Sequence, residues 1–215
     1  MCSVAGFMLV LCAGVSLAQT EVESLFNQAQ TQEKQRSYAA AESTYREVLA
    51  LQSENLEAYK RLGIVQQTEL KFDESIQSFQ HVLREDPKYS QVNFFLGVSF
   101  YGKNDVDKAI ASLRDELNTP QPHPRTRFYL ATLLEGSGKP DEAIQQLNLS
   151  LAERPDDQEA LYQLARLHKG ASFRAMDRLK SLDADSYFVH MLLGELYSDE
   201  DRYPEAIKEY DAALK

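Results

Sequence analysis

Residues 56–89, LEAYKRLGIVQQTELKFDESIQSFQHVLREDPKY, decide the fold. They read as one helix, a short turn, a second helix and a stop at Pro87. Tyr59, Leu62 and Gly63 mark the first helix, and Ser75 and Phe79 the second. Shifted by 34 residues, the stretch meets itself again. Ala29, Gly63, Gly97, Ala131 and Ala165 form one series at that interval, and Ala41, Ser75, Ala109 and Ala143 form another. A small residue at a fixed interval is a packing rule, because two helices approach closely only where side chains are small. A period of 34 with two helices per unit describes stacked helical hairpins, in which each hairpin's apolar stripe is covered by its neighbours.

At these residues the chain resembles the tetratricopeptide repeat family, from about residue 22 to the end. The resemblance implies an all-α, right-handed superhelical solenoid of about six helix-turn-helix hairpins. The units fall at about 22–55, 56–89, 90–123, 124–157, 158–186 and 187–215, giving an expectation of twelve helices.

The departures from regularity are informative. The third unit runs into Thr119-Pro120-Gln121-Pro122-His123-Pro124, whose prolines cannot donate backbone hydrogen bonds and predict a stiff, extended link. The fourth turns at Gly136-Ser137-Gly138-Lys139-Pro140. Its Gly-Lys pair is not a phosphate loop, because Leu133 occupies the first glycine place and Pro140 replaces the magnesium-binding hydroxyl. In the fifth, Gly194 follows Ala165 by only 29 residues. Five residues are missing, most simply from the turn, so Gly170 leads almost directly into a helix near 172–182.

The chain is 43% hydrophobic and 26% charged, with a net charge of −10. That balance argues against nucleic acid as a partner, since phosphate neutralisation needs clustered Lys and Arg. It also disfavours adsorption to an anionic membrane. Residues 1–18 read as a signal peptide: Val4 to Leu17 is apolar or small, too short to span a membrane, and Ser16-Leu17-Ala18 predicts cleavage after Ala18. The expected location is therefore secreted or periplasmic, with no membrane insertion after cleavage. An envelope lipoprotein anchored at Cys12 is the alternative, although Leu11 stands where a small residue belongs. Both cysteines, Cys2 and Cys12, lie in this leader.

No nucleophile elbow, His-Glu-x-x-His or Walker-type loop occurs, so the expectation is a protein without catalysis, cofactor or metal. His190 and His168 fall at large apolar or aromatic places of the repeat and are expected in the core, and His81 on an exposed helix face. The family resemblance places the first helix of each hairpin on a concave side that binds a protein or peptide. It turns the fifth residue of each unit inward, including Lys60, Phe94, Phe128 and Tyr162, and near the ninth Ile64, Val98 and Arg166, with Tyr101 following. Stiff aromatic side chains at such places suit a peptide groove, because they lose little entropy on binding. Asn93 and Arg127 at large core places leave room for Phe94 or Phe128 to rotate inward instead.

The expected function is an exported protein–protein interaction scaffold. The alternative is the N-terminal sensor or targeting part of a larger envelope protein. Ile207, Tyr210 and Leu214 recur at helical spacing near the end of the chain and predict either self-association through that last helix or a longer native chain.

Overall fold

A computed structural model describes the backbone of residues 5–214 and the side chains of 19–214. The signal-peptide expectation for residues 1–18, and the Cys12 alternative with it, falls on side chains outside those described. Among the described residues there are eleven helices and no strand. In order these are α1 (Ala5–Lys34), α2 (Tyr38–Leu51), α3 (Leu56–Thr68), α4 (Phe72–Glu85), α5 (Val92–Gly102), α6 (Val106–Glu116), α7 (Thr126–Gly136), α8 (Pro140–Glu153), α9 (Gln158–Leu182), α10 (Tyr187–Asp199) and α11 (Tyr203–Ala213). None of the described helices is long and apolar enough to cross a membrane.

The hairpins close by a recurring device. Arg36, Leu70, Asn104 and Gly138 all have left-handed backbones, φ 59°, 61°, 62° and 74°, and they too are 34 residues apart. After each, the next amide reaches back five residues to a carbonyl of the first helix. Ser37 donates to Gln32, Lys71 to Gln66, Asp105 to Phe100 and Lys139 to Leu134, at 2.8–2.9 Å. This is the Schellman closure, which satisfies helix-end carbonyls while reversing the chain. Asp201, φ 59°, repeats it in the last hairpin, with Arg202 donating to Tyr197 at 2.8 Å.

The structure divides into two compact units, one through Ala143 and one from Ile144. In the first, the small residues do what the period requires. A methyl group placed on Gly63 would come within 2.6 Å of the Phe79 ring, and one on Gly97 within 3.0 Å of Leu113. Tyr45, Val48, Phe79, Val82 and Leu113 are buried between the helices. Polar ladders repeat with the packing: Thr44 Oγ1 donates to Gln32 at 2.9 Å, and 34 residues on, Ser78 Oγ donates to Gln66 at 2.8 Å.

In the second unit, α10 and α11 form a hairpin of the same kind, with Gly194 against the Tyr210 ring. The fifth repeat differs from the expected pair of helices. It is the single continuous helix α9, 25 residues long, because the turn that elsewhere holds the left-handed residue is missing and Gly170 remains helical. The link after α6 also departs from a plain extended segment. Residues 117–120 turn, Thr119 Oγ1 donates to the Glu116 carbonyl at 2.8 Å, and Thr126 Oγ1 closes back on the His123 carbonyl at 2.7 Å.

Candidate protein-binding face

The candidate groove residues lie on α3, α5 and α7 of the first unit and on α9 of the second. On α3, Lys60 is not offered to a ligand. Its ammonium donates to the Ser90 carbonyl at 3.2 Å and lies 5.6 Å above the Tyr89 ring. Ile64 is half-buried one turn further along.

On α5 the expectation for Phe94 is corrected, because its side chain is buried rather than open to a groove. It stacks on His123 at 3.7 Å between centroids and meets Phe95 and Tyr129 edge-on. Asn93 gives no bulk at the neighbouring core place, and the aromatic ring turns in. Val98 is half-buried, while Tyr101 is 53% exposed. On α7, Phe128 is half-buried beneath the Arg125 guanidinium at 4.9 Å. Tyr162 and Arg166, on α9, are exposed and belong to the other unit.

Tyr101 stands at an open cleft of about 700 Å³. Val106 and Leu133 form its apolar part, and Thr132, Gly136 and Ser137 its α7 side. Asp105 and Asp107, from the turn into α6, make its rim acidic. A hydrogen bond and ion pair with Lys108, 2.6 Å away, hold the Asp105 carboxyl below its ordinary range, so it stays ionised. The cleft thus offers an exposed aromatic ring, an apolar floor and negative charge. The turn residues 104–107 carried no ligand signal in the sequence.

The residue that sequence reasoning missed is Glu116. It occupies the repeat place held by Val48 and Val82, and it is fully buried. Its carboxylate accepts from the backbone N–H of His123 at 2.8 Å and of Phe94 at 3.2 Å, and the Gln91 amide also bonds to it. Gln91 has φ 69° and no capping side-chain bond of its own, so Glu116 caps the start of α5 from another helix. Burial pushes its carboxyl above the ordinary range, and these backbone donors pull against that. The same oxygens anchor the proline link and place Phe94 under His123. A carboxylate where two sister units have valine was the available signal.

The histidines divide. His190 is half-buried and pairs with Glu209 at 2.7 Å. His168, expected in the core, is exposed on α9 because no second helix of its own hairpin packs over it. His81, expected to be exposed, is partly covered by the Tyr59 ring at 3.9 Å. Among the described residues no three His, Cys, Asp or Glu side chains gather closely enough to hold a metal ion.

Three tetratricopeptide repeat models match the sequence, over residues 22–55, 62–124 and 124–167. The chain belongs to the tetratricopeptide repeat family. The last match ends at Leu167, inside α9. No curated protein sequence matches the chain. Among solved structures the repeat protein is similar to PilF of Pseudomonas aeruginosa, at 16% identity and TM-score 0.65, covering 89% of this chain and 90% of PilF. A tetratricopeptide repeat protein from Parabacteroides merdae gives 18% identity and TM-score 0.61, over 90% of this chain and 77% of that one. YrrB, described as having an unusual peptide-binding site, gives 17% identity and TM-score 0.56, over 92% and 90%. At such identities the likeness speaks for the fold alone.

Proposed function

We propose that this chain is an exported, non-catalytic scaffold that binds a segment of a partner protein at the Tyr101 cleft. One observation carries the reading: a half-exposed tyrosine opens onto a cleft of about 700 Å³ with an apolar floor. Tetratricopeptide repeat proteins generally act through protein–protein contacts, and the YrrB peptide site gives a precedent on the same fold. The acidic rim of Asp105 and Asp107 favours a segment carrying Lys or Arg beside an apolar or aromatic residue. Export rests on the apolar run of residues 4–17 and the small residues before Gln19.

A single in-cell experiment tests both parts. A photocrosslinking residue at Tyr101 should capture a partner that one at exposed Leu70 does not, and Asp107→Lys should abolish the capture while leaving the melting curve unchanged. The protein recovered should have the intact mass of a chain beginning at Gln19. Equal capture from both positions, or capture untouched by Asp107→Lys, moves the site elsewhere; a retained Met1 in the cytosol ends the export reading.

A further inference from the structure

The continuous helix α9 contains both halves of a hairpin that cannot close on itself. In every closed hairpin the small residue of the first helix precedes the small residue of the second by twelve: Ala29 and Ala41, Gly63 and Ser75, Gly97 and Ala109, Ala131 and Ala143, Gly194 and Ala206. The second small residue then precedes the next unit's first by 22, as Ser75 precedes Gly97. Counting 22 back from Gly194 gives Ser172. Four and seven residues on come Met176 and Leu179, in the places of Tyr45 and Val48 or Phe79 and Val82. The back half of α9 therefore has the contact stripe of a second helix, and only the five turn residues between Ala165 and Ser172 are gone.

By the pairing of Gly63 with Phe79, Gly97 with Leu113 and Gly194 with Tyr210, Ala165 should receive Met176. On one straight helix those two residues are about 16 Å apart and cannot touch. The consequence is visible. Ala165 is exposed, whereas Ala29, Gly63, Gly97, Ala131 and Gly194 are all buried. The uncovered face is continuous: Leu161, Ala165, His168, Ser172, Ala175, Leu179 and Leu182 follow one another at alternating intervals of four and three. All are exposed except Leu179, which is half-buried, and the terminal Leu161 and Leu182 are 47% and 67% exposed. The opposite side, with Ala160, Gln163 and Leu167, is the buried one.

We propose that this face docks on the same face of a second copy of the chain, the two α9 helices running antiparallel. The occupant is set by the chain's own sequence: the repeat register gives Ala165 the 172–182 half as its partner, and on one straight helix that half is unavailable in cis. Antiparallel pairing returns it in trans, and twice over, because the interface is isologous. The stripe is also self-complementary about Ser172. Leu161 faces the second copy's Leu182, Ala165 its Leu179 and Met176 edge, His168 its Ala175, and Ser172 lies on the two-fold axis. Small residues in the middle permit close approach, and leucines at both ends close a seam with the 3-4 spacing of paired helices. The contact is distinct from the Tyr101 cleft and does not depend on the function proposed for it.

Sedimentation equilibrium of the purified chain should give twice the monomer mass, with dissociation on dilution. Ala165→Arg should return the monomer mass while keeping the far-UV circular dichroism spectrum of a folded helical chain, since the site is exposed in the single chain. Insertion of Lys-Asn-Asp-Val-Asp, copied from residues 103–107, after Gly170 restores the interval of twelve and should also give a folded monomer. With Cys2 and Cys12 changed to Ser, Ser172→Cys should oxidise to a covalent dimer and Leu161→Cys should not. A parent that stays monomeric up to about 100 µM overturns the proposal. So does a dimer that survives both Ala165→Arg and the insertion, which would place association at another surface such as Ile207 and Leu214 of α11.

Discussion

Glu42 shows how far single residues in this solenoid are set by neighbours in other hairpins. It is buried, and burial by itself would raise its pKa. Hydrogen bonds from Lys71 at 2.7 Å, Arg46 at 2.7 Å and Gln66 at 3.3 Å outweigh that and lower it from 4.5 to about 2. A folded-state pKa below the unfolded one gives stability that is complete above pH 4.5 and is lost as pH falls toward about 2. The urea midpoint should therefore fall between those pH values, and Glu42→Gln should flatten that part of the profile while lowering the midpoint at neutral pH. An unchanged slope in the variant would show that other carboxylates carry the acid response. At this scale the sequence was partly legible. Gly63 and Gly97 were readable as packing sites from their interval alone. Asn93 left room for Phe94 to turn inward and Glu116 stood at a valine place, but their joint role was not legible, because one buried carboxylate ties the start of α5 to the proline link and nothing in a linear pattern joins residues 94, 116 and 123.

The helices themselves were legible because apolar and small residues recur at both the helical and the 34-residue period. The closures were less so. Arg36 and Leu70 sit in a left-handed backbone without being glycine or asparagine, so the usual turn residues announced only Asn104 and Gly138. What makes the position recur is the back-bonding of the following amide, which any non-proline residue can supply. This explains the fifth repeat in physical terms. Deleting five residues removes both the left-handed position and the chain needed to reverse, and the helical segments on either side fuse into α9. Leu70 carries the cost of its conformation with little packing in return, being 72% exposed at φ 61°. Leu70→Gly should stabilise the protein by about 0.5–1 kcal/mol, read as a higher urea midpoint. A lower midpoint would mean that the leucine side chain contributes packing that its exposure does not suggest.

Over the whole molecule, a repeat protein distributes its stability unit by unit, each hairpin depending on its own packing and its neighbours'. The first unit is well supplied, with Tyr45, Val48, Phe79, Val82 and Leu113 at 0–1% exposure and polar ladders joining α1 to α2 and α3 to α4. The α10–α11 hairpin is not. It buries Val189, Gly194 and Ala206, all small or medium-sized, and leaves Phe188, Ile207 and Leu214 at 64%, 60% and 83% exposure. Burial of apolar area is what resists local opening, at roughly 25 cal/mol per Å². The exposed Ile207 and Leu214 match the stripe read from the sequence, while the thinness of the core beneath them follows from the fusion of the fifth repeat and had no signal of its own. Amide hydrogen exchange should therefore grade along the chain, fast in α10 and α11 and slowest in α4 and α5. The comparison is best made in the Ala165→Arg background, where any protection from pairing of α9 is removed. Uniform protection from α2 to α11 would mean that the two units open as one, and that apolar burial within each hairpin does not set its stability.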